Sequence, residues 1–168
     1  MGVTRSEGLK NLRIAIKGMD NASVKVGWFE SAKYDDGTSV AAVAAQNEYG
    51  NPVKGIPPRP FMRPTVSQQQ DNWKKTAASG AKAIMLGNAT SDMLMEALGG
   101  LAAGNIRETI SKIDSPPLSP KTIAARLTIR ADQQTVGQLD KPLVFEGIML
   151  NTLTHVVYHR QPDLFGGT

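Results

Sequence analysis

Residues 39–64 read SVAAVAAQNEYGNPVKGIPPRPFMRP, and the order of residue types in this stretch decides how the rest of the chain is read. It opens with an alanine-rich helical pattern in which Val40, Val43 and Ala44 share a face at spacings of three and four. Gly50 stops that helix, as glycine does just past a helix end because it tolerates positive φ. Asn51-Pro52 and then Gly55-Ile56-Pro57-Pro58-Arg59-Pro60 follow. Proline holds φ near about −65° and drives the residue before it towards β or polyproline geometry, so this piece is expected to be extended and stiff. Phe61 and Met62 form an apolar plug between Arg59 and Arg63, and Pro64 falls where a second helix opens. A helix, a stiff elbow with a hydrophobic anchor and another helix make a connector.

Upstream, residues 6–19 place Leu9, Leu12, Ile16 and Met19 at helical spacing, with Ser6 as N-cap. Residues 23–29 alternate and are rich in strand formers, so Val24, Val26 and Trp28 are expected to face the core. Tyr34-Asp35-Asp36-Gly37 is a turn. Downstream, a helix is expected over residues 64–86, and a second over 93–113 with Leu94, Leu98, Leu101, Ala102, Ile106, Ile110 and Ile113 on a broad apolar stripe. Gly99, Gly100 and Gly104 interrupt that stripe and are read as places of close packing.

Residues 114–120 hold three prolines and form a stiff turn, after which Ser119 caps a short helix over 120–126. Residues 128–139 are polar and read as a mobile loop that orders on assembly. A helix over 144–153 leads to a second strand, 154–160, expected to pair with the first. Residues 161–168 read as a flexible arm, with Phe165 a candidate to dock on a neighbour. The expected fold is α+β in a single domain, residues 1–168: a small antiparallel sheet packed against several helices, with a long proline-rich loop and mobile termini.

Composition narrows the function. With 168 residues the chain can bury a real core. There are no cysteines, which excludes disulfides, cysteine metal sites and cysteine nucleophiles. A net charge of +4 comes from Lys and Arg scattered without a dense run, which suits weak attraction to phosphate better than sequence-specific nucleic-acid recognition. No apolar run approaches the roughly 20 residues of a membrane span, and no secretory leader is expected.

Catalytic patterns are weak. His155 and His159 are the only histidines, and on a strand they lie about 13 Å apart on one face, too far to share a metal. Glu30 and Asp35-Asp36 lack the spacing of a calcium loop. No phosphate loop or nucleophile elbow is present, so neither an enzyme nor a cofactor or metal is expected. Tyr49, Arg59, Phe61 and Arg63 combine aromatic and arginine side chains, types enriched at interface hot spots, on a loop whose prolines reduce the entropy lost on docking. The competing reading is that Phe61 and Met62 tether the elbow to the protein's own core. Both hold if the elbow packs on itself while its arginines reach out.

Asn47-Glu48-Tyr49-Gly50 followed by Ile56-Pro57-Pro58-Arg59-Pro60-Phe61-Met62-Arg63-Pro64 resembles the signature of tailed-phage virion-morphogenesis proteins, the tail-completion or head–tail joining components. Pro116-Pro117-Leu118-Ser119-Pro120-Lys121-Thr122-Ile123 is similar to a second block of that family. Lys141-Pro142-Leu143-Val144 with Gly147, Met149 and Leu150 is similar to a third. Phe145-Glu146 stands where Asp-Thr is common there, and Thr152 where Ser is common. The resemblance implies a structural virion protein that completes the tail or joins it to the head, in an oligomeric and usually hexameric ring around the DNA channel. Its partners would then be other neck and tail proteins (tail tube, connector or terminator), with genomic DNA only nearby. It would be assembled in the host cytoplasm and end in the virion, at the head–tail junction or tail end. The alternative is a non-virion assembly factor or DNA-binding accessory protein, marked by salt-sensitive binding to DNA.

Overall fold

Alternating burial defines the sheet. In the computed structural model, which describes residues 5–133, 142–143 and 147–159, Ala22, Val24 and Val26 turn inwards from the first strand while Ser23 and Lys25 face solvent. The elements in order are α1 (Arg5–Asn21), β1 (Ala22–Gly27), α2 (Val40–Tyr49), a 3₁₀ turn (Pro52–Lys54), α3 (Met62–Met85), α4 (Ser91–Lys112), α5 (Pro120–Gln133), α6 (Ile148–Thr152) and β2 (Thr154–His159). The two strands pair antiparallel and pack against helices, so the fold is α+β as expected. The residues group into two compact units, each assembled from separated segments.

One unit comprises Met1–Val26, Gln69–Ala103 and Thr154–Thr168. The inward face of β2 carries His155 and Val157, while Val156 and Tyr158 lie outside, where Lys25 Nζ sits 4.7 Å over the Tyr158 ring. Helix α4 approaches the inner face so closely that a Cβ on Gly99 would stand 2.4 Å from His155 Cδ2 and 2.8 Å from Val24 Cγ2. The close packing expected of the α4 glycines is thus real at Gly99, whereas nothing lies within 4 Å of a Cβ at Gly104. Gly99→Ala is therefore expected to destabilise by about 1–2 kcal/mol despite its better helix propensity, because the ring and valine must move. Gly104→Ala should instead stabilise, by up to about 1 kcal/mol. Urea titration of both variants checks the opposite signs.

Ile84 of α3 and Leu94 of α4 form a small core with Ala89 and Leu98. Helix α1 departs from expectation, because Leu9 and Ile16, two residues of its apolar stripe, are exposed together with Ile14.

The other unit comprises Gly27–Gln68 and Gly104–Leu153. Its core is Val40, Ala44, Phe61, Ile106, Ile110, Met149 and Leu153. Trp28, expected within the first strand, lies past the end of β1. Its ring meets Phe61 edge-on, with centroids 5.6 Å apart at 85°, and its Nε1–H donates to the Met149 carbonyl at 2.9 Å. An indole that packs on an aromatic ring and spends its N–H gains more than one left on a short strand's rim. Arg107 ties α4 to α6, donating from Nε to the Leu150 carbonyl at 3.0 Å and from Nη2 to that of Leu153.

Two expectations near the C-terminal end need correction. Ser119 does cap α5, accepting the Thr122 N–H at 3.1 Å, but the helix runs on to Gln133, so residues 128–133 are not loop. Ala124, Ala125, Arg126, Leu127, Arg130 and Ala131 are strong helix formers, and no glycine or proline intervenes before Gly137. Helix α6 starts at Ile148, behind Gly147 at φ 68°, instead of at residue 144. Residues 134–141, 144–146 and 160–168, with the expectations placed on them, lie outside the described residues.

Candidate functional site at the elbow

The elbow is a closed loop before it is a connector. Asn51 and Ile56 exchange backbone hydrogen bonds of 2.8 and 2.9 Å, with Pro52–Lys54 as the intervening turn and the Asn51 side chain accepting the Lys54 N–H. Gly50 enters this loop at φ 76°, ψ 170°, a region open essentially to glycine, and a Cβ there would lie 3.0 Å from the Ile56 carbonyl and the Pro58 nitrogen. The chain reverses so tightly that the Arg59 N–H reaches back to the Asn47 carbonyl at 2.6 Å.

Glu48 holds the second helix in place. It follows Val40 and Ala44 at steps of four on the buried stripe of α2 and is only 3% exposed. Its Oε2 accepts the N–H groups of Phe61 at 2.7 Å and Met62 at 2.9 Å, and its Oε1 accepts that of Arg63 at 3.2 Å. These are the orphan donors at the start of α3, and the next residue, Pro64, has none to satisfy. One carboxylate from another helix therefore caps the whole N-terminus, where the helix dipole also favours negative charge. Arg63 closes the arrangement, with Nε 2.9 Å from Glu48 Oε1 and Nη2 donating to the Glu48 carbonyl at 2.9 Å. Burial works against ionisation of Glu48, but the hydrogen bonds from Met62, Phe61 and Arg63 together outweigh it and hold the carboxyl below its ordinary value.

The singled-out residues take different positions. Phe61 is wholly buried against Trp28. Arg59 is 5% exposed and turns inwards, donating from Nε to the Pro116 carbonyl at 2.7 Å and from Nη2 to that of Pro117 at 2.9 Å. Arg63 reaches solvent, its guanidinium 5.0 Å from the centre of the exposed Tyr49 ring. Phe165 lies outside the described residues. The elbow thus packs on its own core, as one of the two sequence readings has it, and of its two flanking arginines Arg63 alone points outwards.

Beside Arg59 is a cavity of about 280 Å³. Asn47, Ile56, Arg59, Leu118, Leu143 and Met149 all line it. Every stretch on which the family resemblance rests contributes to that wall.

The sequence reading misses Glu48, although the chain carries a signal for it. A carboxylate on an apolar helical stripe demands a buried partner, and α3 starts at Met62 behind Arg59-Pro60-Phe61, which holds no Ser, Thr, Asp or Asn to cap it.

The other candidates have local explanations. His155 Nε2 lies 2.7 Å from Glu96 Oε2, and His159 Nε2 lies 3.5 Å from Asp92 Oδ1, each pairing β2 with α4. Asp36 Oδ1 accepts the Thr38 N–H at 2.9 Å within its turn, which holds its carboxyl below the ordinary value. Among the described residues no cluster of three or more His, Asp or Glu is placed to hold a metal, and no helix is long and apolar enough to cross a membrane. No known protein family, curated protein or solved structure matches the chain.

Proposed function

We propose that this chain is a structural virion protein of a tailed phage that completes the tail or joins it to the head, as one subunit of an oligomeric ring around the DNA channel. One observation carries the reading. The separated stretches that resemble the virion-morphogenesis family converge on the elbow, through the Arg59 bonds to Pro116 and Pro117 and through the cavity shared with Leu143 and Met149. Shared sequence blocks that build one rigid feature suit a common architectural part. The exposed Tyr49–Arg63 pair and the exposed Leu9, Ile14 and Ile16 of α1 offer aromatic, cationic and apolar surface to neighbouring subunits. Nothing in this role requires a catalytic group.

Electron microscopy of lysates from the phage with this gene interrupted early tests the proposal. DNA-filled heads beside unattached tails are expected for a joining protein, and tails of runaway length for a terminator. Normal infectious particles would overturn the structural role, and salt-sensitive DNA binding by the free protein would then favour the accessory reading.

A further inference from the structure

A guanidinium carries five N–H donors. In Arg59 one at Nε and one at Nη2 are spent on the carbonyls of Pro116 and Pro117, which leaves three on a side chain that is 5% exposed. Among the described residues no carboxylate pairs with it, and Glu48, the buried acid of the same elbow, is taken up by Phe61, Met62 and Arg63. Burial pushes the guanidinium below its ordinary value. A buried cation held only by carbonyls is costly, because neutral dipoles repay little of the hydration it gives up.

Arg59 lines the 280 Å³ cavity, whose other walls include Val43, Ile56, Leu118, Ile148 and Met149. Tyr34 and Arg126 stand on the same wall with interactions of their own. We propose that this cavity is a binding site for a monocarboxylate on a short apolar body, its carboxylate paired with Arg59 and its body against those walls. At about 280 Å³ the cavity falls just below the usual range of ligand pockets, about 300–1,000 Å³, which suits a short-chain acid or one acidic side chain with an apolar neighbour and is too small for a nucleotide. A buried cation with no carboxylate partner among the described residues, in a cavity lined largely by aliphatic side chains, favours a single negative charge over a hydrated phosphate dianion. The proposal does not depend on the virion reading, since binding is read on the isolated full-length chain.

The test is titration of methyl-labelled protein with hexanoate, followed by NMR at Ile56, Leu118, Ile148 and Met149. Saturable shifts confined to these methyls are expected, with uncharged hexanamide binding at least about tenfold more weakly for want of the charge-assisted bond. Thr122 is exposed and lines the cavity, so it stands at the mouth, and Thr122→Phe should abolish the shifts while the Trp28 indole signal stays in place. Thr122 takes no part in the Arg59 carbonyl bonds, and the retained Trp28 signal separates loss of binding from loss of the fold. Equal binding of hexanoate and hexanamide, displacement of hexanoate by equimolar inorganic phosphate, or no binding would each overturn the proposal. A capped peptide with an internal Asp-Leu-Phe locates the source. Tighter binding than hexanoate assigns a partner protein's acidic side chain, weaker binding assigns a free acid, and both support the site.

Discussion

Glu48→Gln is expected to lower the unfolding free energy by about 3 kcal/mol at neutral pH. The carboxylate accepts three backbone N–H groups and the Arg63 guanidinium at a site where only 3% of the residue is exposed. An amide of the same size keeps one acceptor and turns an NH₂ towards donors, leaving buried groups unpaired at about 1–3 kcal/mol each, partly relieved by relaxation. The effect carries a pH signature. Because the folded carboxyl is held below its unfolded value of about 4.3, its contribution is fully present above that value and is lost as pH falls through the folded one. The gap between wild type and Glu48→Gln should therefore be widest near neutrality and shrink below about pH 4. Urea denaturation of both proteins at pH 7 and at pH 3 measures it, and a gap that did not change with pH would show that the carboxylate's charge is not what holds α3.

Phe61→Ala should cost still more, about 4 kcal/mol, because a wholly buried aromatic is removed and the hole it leaves cannot fully collapse. The edge-on contact with Trp28 at 5.6 Å adds to the loss, and Trp28 fluorescence should report the change in the folded state. For a domain whose net stability is only about 5–15 kcal/mol, this is a large share. Tyr49→Ala, on the exposed side of the elbow, should stay within about 0.5 kcal/mol of wild type. The pair separates anchoring from recognition. If Phe61→Ala left thermal and urea midpoints unchanged, the plug would not be a core residue in solution.

Much of the local structure was legible. Helices α2, α3 and α4 follow apolar spacing and end at glycine or turn signals, the two strands show their alternation, and Ser119 announces the start of α5. Helix α5 shows the limit, since its second half is polar enough to suggest a loop although its propensities are helical. The elbow was found as a place from its prolines and its plug, yet the directions of its side chains were not. Arg59 and Arg63 flank the same plug, and one turns to the carbonyls of Pro116 and Pro117 while the other turns to solvent and Tyr49.

By itself, the sequence determined the α+β class, the main elements and the stiffness of the elbow, because propensity, periodicity and proline geometry act between chain neighbours. Only the tertiary structure decided that Glu48 caps a helix that starts fourteen residues on, that Arg59 lies buried beside a cavity, and that Leu9 and Ile16 of α1 stay exposed. Those outcomes depend on which distant N–H and carbonyl groups folding brings within about 3 Å, and local preference carries no record of that.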